Sequence, residues 1–411
     1  MKKVSVPSLW LMIILVAFPQ ISETIYTPSL PDISKALQVS NNEVQLTLSV
    51  YFAGFALGVF FIGWLSDIIG RRPAMLFGIV VYGAGSFLCY IANSIEFLLV
   101  SRFIQAFGAS AGSVVTQTIL RESVEGHKRH VMFAQISAVI AFTPAIGPLI
   151  GGFLDQIFGF KIVFLSLVVM SVGILLYTFV SLPETKTGAV TDKINVFSVL
   201  KRLITNPKVV TYGLLIGGAN GVLFSYYAEA PFIFIEYFQL SPSMYGFLGI
   251  VVASASIIGA KVSKRLLATY KPEKIIYIGC LVMTGGAILL TVITSFGSNP
   301  NIIYMIGFLV AMFILLFGIG IALPNCLSLA LVDFQDVIGT AGALFSLGYY
   351  IIVTITIWGM SQLHTGSLIV MPLYFLVIVV IMVVFTRVFI WNDRAGNSLY
   401  FIKIIIHVDK F

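Results

Sequence analysis

Twelve stretches of this chain are each long and apolar enough to cross a bilayer as a helix, which takes about 20 residues. They run over 8–27, 44–65, 73–93, 97–120, 131–154, 160–182, 209–234, 245–267, 275–293, 302–331, 339–360 and 368–388. Lipid offers no partner to backbone N–H and C=O groups, so only helices and closed barrels span it. Barrel strands alternate in polarity and run about ten residues. These runs are longer and uniformly apolar, which predicts an all-α membrane protein. Composition closes off the other classes. Hydrophobic residues make up 59% of the chain and charged ones 10%, too few charges to cover a soluble or disordered chain. The net charge of +7 is then read as the basic excess of the cytoplasmic side, with no nucleic-acid partner.

With the N-terminus placed inside, 21 of the 24 Lys and Arg residues fall in inner segments, and only Lys35 and Lys161 in outer loops. The remaining one, Arg102, lies within a helix. This split predicts twelve crossings with both termini cytoplasmic. The first run lacks a small-residue cleavage site and reads as a retained helix. One connection is long. It covers 183–208, opens Leu182-Pro183-Glu184-Thr185-Lys186 and holds five basic residues. It divides the chain into a six-helix half over 1–182 and a second over 209–411, a duplication plan known in transporters. Gly63 and Gly259 occupy matching places in the two halves, and Lys261, Lys264 and Arg265 echo Arg71 and Arg72. The apolar run Leu399 to Val408 in the tail is too short to span. Cys89, Cys280 and Cys326 sit inside apolar runs and read as small core residues, with no disulfide or metal spacing. No nucleophile–base pair, metal cluster or phosphate-binding motif stands out, so an enzyme is not expected.

A charge in the bilayer core costs about 2.5 kcal/mol or more, so the ionisable residues inside the runs matter most. These are Glu23, Arg102 and Glu229. Glu23 and Arg102 lie four and five residues from the outer ends of their runs, which places them at one depth. Burial opposes ionisation of the acid and a nearby Arg favours it, the competition that proton exchange requires. The bland readings are a structural cation and an interfacial acid. All four histidines lie outside the runs: His127 and His130 in an inner loop, His364 in an outer one, His407 in the tail. They read as solvated, which leaves a carboxylate as proton carrier. Glu229 follows Lys208 by 21 residues and Glu23 follows Lys3 by 20. Duplication would then put the two acids at nearly the same depth, with Pro231 and Pro28 just beyond them. Glu229 would bind a cationic or hydrogen-bonding part of the cargo, act as a second proton site, or be a rim residue. Phe224, Tyr226, Tyr227, Phe232 and Phe234 surround it, as pocket lining or as interface packing. The residues expected at the substrate cavity are Glu23, Tyr26, Tyr226, Tyr227 and Glu229.

Between the second and third runs stands Gly63-Trp64-Leu65-Ser66-Asp67-Ile68-Ile69-Gly70-Arg71-Arg72-Pro73. Asp67 ends a helix, where the dipole disfavours a carboxylate. That predicts an ion pair with Arg71 or Arg72, or contact with another helix N-terminus. The segment resembles the signature loop of the major facilitator superfamily. The resemblance implies an inner-side gate that stabilises one state of alternating access, carried by Gly63, Asp67, Gly70, Arg71 and Arg72. Leu98 to Gly108 is similar to the fourth-helix motif of proton-coupled members, which ties Arg102 to proton transfer. Pro144 to Gly152 is similar to the fifth-helix motif of exporters, with Gly147, Pro148, Gly151 and Gly152 in place. Proline and glycine there suit a helix that bends or slides, or one statically kinked.

The first run ends Ile21-Ser22-Glu23-Thr24-Ile25-Tyr26-Thr27-Pro28-Ser29-Leu30-Pro31. It resembles the bicyclomycin/chloramphenicol-resistance (Bcr/CflA) drug–proton antiporters, with Glu23 where an Asp is usual. The resemblance spans essentially the whole chain, though its specific motifs lie in the first half. It implies a monomeric multi-pass exporter of small amphipathic compounds or drugs in the bacterial inner membrane, driven by the proton gradient without a cofactor. Its partners would be a small-molecule substrate, protons and lipid. A dedicated carrier of a metabolite or siderophore-like polycarboxylate would keep the same fold. A membrane-embedded enzyme or sensor is the reading from another class.

Overall fold

The structure is a computed structural model that describes residues 7–123, 132, 135, 136, 139, 141–186, 195–296 and 300–391. The tail expected after 391, part of the long connection, most of the start of the fifth run, and His127, His130 and His407 lie outside these residues.

Among the described residues fourteen α-helices follow in order: α1 Leu9–Thr24, α2 Leu30–Leu37, α3 Asn41–Ile69, α4 Arg71–Ile91, α5 Ile95–Ser123, α6 Thr143–Phe158 and α7 Phe160–Ser181. The second series is α8 Val196–Thr205, α9 Pro207–Pro231, α10 Pro242–Leu266, α11 Pro272–Phe296, α12 Ile302–Leu329, α13 Ile338–Leu363 and α14 Val370–Phe385. Eleven helical stretches among the described residues are long and apolar enough to cross a membrane. With α6, the described part of the fifth run, they account for the twelve expected crossings.

Local chemistry starts many of these helices. Ser40 and Glu43 form a reciprocal capping box on α3, and Asn206, Ser241 and Asn301 side chains cap α9, α10 and α12. Pro207 and Pro242 take the first helical position, where a missing N–H costs nothing. Large apolar side chains such as Phe61, Val180 and Ile303 stay exposed, as a lipid-facing surface requires. The short α8 is amphipathic. It buries Val199 and Leu203 against Phe334, Ala341 and Leu344 of the second half, each worth about 2 kcal/mol. Arg202 of α8 pairs with Asp336 at 2.8 Å.

One sequence expectation needs correcting. The first run does not end at Thr27. A single turn over Thr27–Ser29 carries α1 into α2, giving one helical stretch from Leu9 to Leu37. Pro28 and Pro31 stand in the opening turns of these segments, so they restart the helix rather than stop it. Glu23 therefore lies midway along its stretch, not near an end. Likewise α9 runs on through Phe232–Tyr237, and Glu229 lies eight residues, or about 12 Å, before that end.

Candidate transport site

The two ends of the bundle differ. The α3–α4 turn, the end of α5 and the start of α9 share the basic end. The α2–α3 turn and the end of α13 share the far end. A cavity of about 720 Å³ lies between the halves. Val16, Val59, Gln117 and Arg121 line it from one half, and Leu331, Gly339, Ser346, Tyr349 and Tyr350 from the other. Arg121 near the end of α5 and Gly339 near the start of α13 place its mouth at the basic end. A volume of this size suits a drug-sized molecule. Rings pack toward the far side of it: Tyr349 against Tyr350 at 4.5 Å, Tyr350 against Phe55 at 5.0 Å, and Phe52 against Phe224 at 4.4 Å.

Glu23 is buried at 7% exposure and Arg102 at 0%. They interact electrostatically without forming an ion pair. The acid also lies within electrostatic reach of Tyr349 and Tyr350 on the cavity wall. The Arg102 guanidinium carbon lies 3.9 Å from the Tyr26 ring centroid and 4.3 Å from that of Tyr51. Its Nη1 donates to Gln105 at 2.5 Å, while Nε and Nη2 have no hydrogen-bond partner. Tyr26 bonds Thr47 at 3.0 Å through its hydroxyl. Glu23, Tyr26 and Arg102 thus come together beside the cavity. Tyr26, Tyr226 and Tyr227 are themselves buried and do not line it here.

Glu229 is held elsewhere. His364, just past the end of α13, approaches its two carboxylate oxygens at 2.9 and 3.0 Å. Gln45 Nε2 donates to the same carboxylate at 3.1 Å. Gln45 stands near the far-end start of α3, so Glu229 lies nearer the rim than Glu23, and the equal depth expected from duplication fails. α1 begins at Leu9, six residues after Lys3, whereas α9 begins at Pro207, before Lys208, so the two counts do not start from the same place on their helices. His364 is not solvated, as its loop position suggested. Its side chain is 10% exposed. Burial pulls the imidazole down, but the hydrogen bond and charge of Glu229, with Glu236 behind, push it further up, above its ordinary value.

More contacts across the halves close the far end. Asn42 donates to the Ser361 and His364 carbonyls at 2.7 and 3.0 Å, Asn41 to Glu236 at 3.2 Å, and the Tyr227 hydroxyl to the Pro144 carbonyl at 3.0 Å. The molecule is open at the basic end and closed at the far end.

At the basic end, Arg71 is the hub of the α3–α4 loop. It pairs with Asp67 at 2.5 Å and Glu122 at 2.6 Å, and donates to Ser66 at 2.9 Å. The ion pair that Asp67 required is thus made with Arg71 and not Arg72. Arg72 donates to the Phe179 carbonyl at 2.7 Å. Glu184 accepts from the backbone N–H groups of Arg71 and Arg72 at 3.0 and 3.2 Å. Gly70 has φ +105°, and a Cβ there would sit 2.5 Å from Glu184 Oε2. Glu122 and Glu184 belong to no motif in the sequence. The only signal was an acid ending α5 and another opening the long connection.

The sequence model of the Major Facilitator Superfamily matches residues 12–357. The chain belongs to this superfamily. It is 33% identical to an uncharacterized transporter of Rickettsia bellii, over 90% of this chain and 93% of that protein. It is 27% identical to Multidrug resistance protein D of Escherichia coli, over 82% of this chain and 84% of the relative. A crystal structure of a D-xylose-proton symporter superposes with a TM-score of 0.76, at 14% identity, covering 91% of this chain and 96% of that one. That likeness establishes the twelve-helix, two-half fold. The protein is a multi-pass membrane transporter and not an enzyme.

In this facilitator the fifth-helix glycines form a seam. A Cβ on Gly147 would meet Thr24 Oγ1, one on Gly151 the Ile25 carbonyl oxygen, and one on Gly152 the Pro242 carbonyl oxygen. Pro148 lies inside α6, and its carbonyl oxygen faces Gly246 of α10. The glycines therefore let α6 touch both the end of α1 and the start of α10 at backbone distance.

Proposed function

We propose that this facilitator is a proton-coupled exporter of small amphipathic compounds, including drugs, working by alternating access across the bacterial inner membrane. The basic end and both termini face the cytoplasm, following the charge asymmetry. The observation that carries the reading is the cavity of about 720 Å³. It is open at the basic end and closed at the far end, with the buried Glu23 beside its tyrosine wall. Cargo enters from the cytoplasm, and Glu23 exchanges a proton with the far side when the halves rock. Arg102 holds the acid ionised until cargo or conformation displaces it. The loop around Asp67 and Arg71 stabilises the opposite, far-open state. The proton gradient is the energy source, and a single chain is the working unit. The relative named Multidrug resistance protein D supports drug as the cargo class.

A second cargo reading, a dedicated carrier of a siderophore-like polycarboxylate, is favoured by Arg121 in the cavity wall. The test is uptake into inverted vesicles under an imposed pH gradient, with lipophilic cations, neutral drugs and polycarboxylates in parallel. Cation or neutral drug uptake that Glu23→Gln abolishes is the expected result. Gradient-driven flux that survives Glu23→Gln unchanged removes Glu23 as the proton carrier. Uptake of the polycarboxylate alone replaces the cargo class.

A further inference from the structure

The far end is closed by a small set of polar groups in a membrane protein that otherwise has few. His364 Nδ1 lies within hydrogen-bond distance of both oxygens of Glu229. A bare Nδ1 lone pair would face two carboxylate oxygens there, so this nitrogen carries the proton. Gln45 Nε2 is also 3.2 Å from that nitrogen, but two donors do not bond. Gln45 therefore gives its hydrogen to Glu229 Oε1, at 3.1 Å. Gln45 and Asn42 belong to the first half, and Glu229 and His364 to the second. Rocking the far end open must break Gln45 from Glu229, and Asn42 from the Ser361 and His364 carbonyls.

From this geometry we propose that His364 and Glu229 form a proton-titrated latch, in which the protonated imidazole holds the far end of the two halves closed. The proposal rests on the proton-coupled reading above and extends it to a second titratable site. The groups that face the imidazole are few. Glu229 comes from α9, Glu236 from the turn after it, and neutral Gln45 and Asn42 from α3. The Phe232 ring lies 5.4 Å from the imidazole. Lys35 of α2 lies 3.9 Å from Glu236.

The sign follows from linkage. Closed, His364 and Glu229 share a pocket sealed by Gln45 and Asn42, where the carboxylate charge acts on the imidazole with little screening. Opening wets the pair, so His364 binds its proton more tightly in the closed state. Its contribution to closure is complete below the ordinary histidine value, about 6.5. It is lost as pH rises through the raised value of the closed form. An acidic far compartment then drives closure after cargo leaves, and the empty carrier returns with its far end shut. That is the order an exporter exchanging cargo for protons needs. Gln45 and Thr47 are two residues apart on α3. One bonds Glu229 and the other bonds Tyr26, which stacks on Arg102. The latch and the Glu23 site are thus linked through one turn of helix.

The experiment is a distance measurement by electron spin resonance in lipid nanodiscs, without cargo. Spin labels go on Ala36→Cys and Ser295→Cys, both exposed at the far end. The far-open population of the otherwise unaltered protein is followed from pH 5.5 to 8.5. It should rise with pH, with a midpoint above about 6.5. His364→Gln should abolish that rise, and Glu23→Gln should keep it. Glu229→Gln, a second variant in case the first does not fold, should move the midpoint to lower pH. A rise that persists in His364→Gln overturns the proposal, as does one that Glu23→Gln removes or a midpoint unmoved in Glu229→Gln. A distance that ignores pH but shifts on adding a lipophilic cation also overturns it, and reassigns Glu229 to cargo binding. The transport assay with Glu23→Gln tests proton coupling separately, so either idea can fail without the other.

Discussion

The Arg102 guanidinium carbon stands 3.9 Å from the centroid of the Tyr26 ring, three residues along from Glu23. The ring face, with that of Tyr51, stabilises a fully buried cation without a carboxylate bonded to it. The charge is therefore not quenched. Two of its nitrogens, Nε and Nη2, remain unpartnered, available to whichever acid or cargo group moves within reach.

Substituting Tyr26 separates the ring from the hydroxyl. Tyr26→Phe keeps the face and gives up only the bond to Thr47, a cost of about 1 kcal/mol. Tyr26→Leu also removes the cation–π contact, a further cost of about 1–2 kcal/mol at a desolvated site. Thermal unfolding in detergent should rank wild type above Phe above Leu. Equal losses for the two variants would mean that the ring does not hold Arg102.

Arg71 is 7% exposed, whereas Asp67 is 52% and Glu122 33% exposed. All three lie in one half, on α3, α4 and α5. Arg71→Ala should destabilise that end by roughly 2 kcal/mol, less than for a fully buried pair because both acids reach water. Asp67→Asn should cost under about 1 kcal/mol in this far-closed state. If the loop stabilises the far-open state, the same Asn variant should speed thiol labelling of a cysteine placed at Ser346 in the basic-end cavity. An unchanged labelling rate would end the gate idea.

Much of this is open to reading in the chain. The crossings follow from hydropathy alone, and the α3–α4 loop is contiguous, so its letters carry it. What stays hidden depends on contacts between distant residues. Pro28 looks like a helix end, because proline cannot donate to a preceding turn, and this misplaces Glu23 in depth. His364 looks like an ordinary loop residue, since nothing local marks that it lands on Glu229, 135 positions away. Tyr26 and Tyr51 cannot be matched to Arg102 without knowing how three helices are rotated.

The connection at Glu184 gives a prediction with a definite pH sign. Burial opposes its charge, but backbone N–H groups of Lys186, Arg71, Arg72 and Thr185 hold the carboxyl below its usual range. A carboxylate at the start of α4 also suits the helix dipole. The cap is therefore complete above about pH 4.3, the ordinary glutamate value, and is lost as pH falls through the lower folded value. Glu184→Gln should weaken the cap by up to about 1 kcal/mol at neutral pH. Hydrogen exchange at the Arg71 and Arg72 amides is the readout. Exchange as slow as wild type in the variant would show that Glu184 does not cap α4.

The α6 seam yields the sharpest test of how the halves move. Gly151 packs against the Ile25 carbonyl oxygen so closely that a methyl group would overlap it. Backbone cannot rotate aside as a side chain can, so the far-closed packing of α6 on α1 should be penalised by about 1–3 kcal/mol. The same holds for Gly152 against Pro242 of α10, across the two halves. A methyl group at Gly173 would meet nothing within 4 Å, and Gly173→Ala serves as the control. If α6 separates from α10 when the far end opens, Gly152→Ala should penalise only the closed state and enrich the far-open population. Gly151→Ala should do so only if α1 also parts from α6 there. Comparing the two by the far-end spin-label distance identifies which contact slides. If both variants keep the wild-type distance distribution and stability, as Gly173→Ala should, then α6 adjusts locally and the seam does not set the closed state.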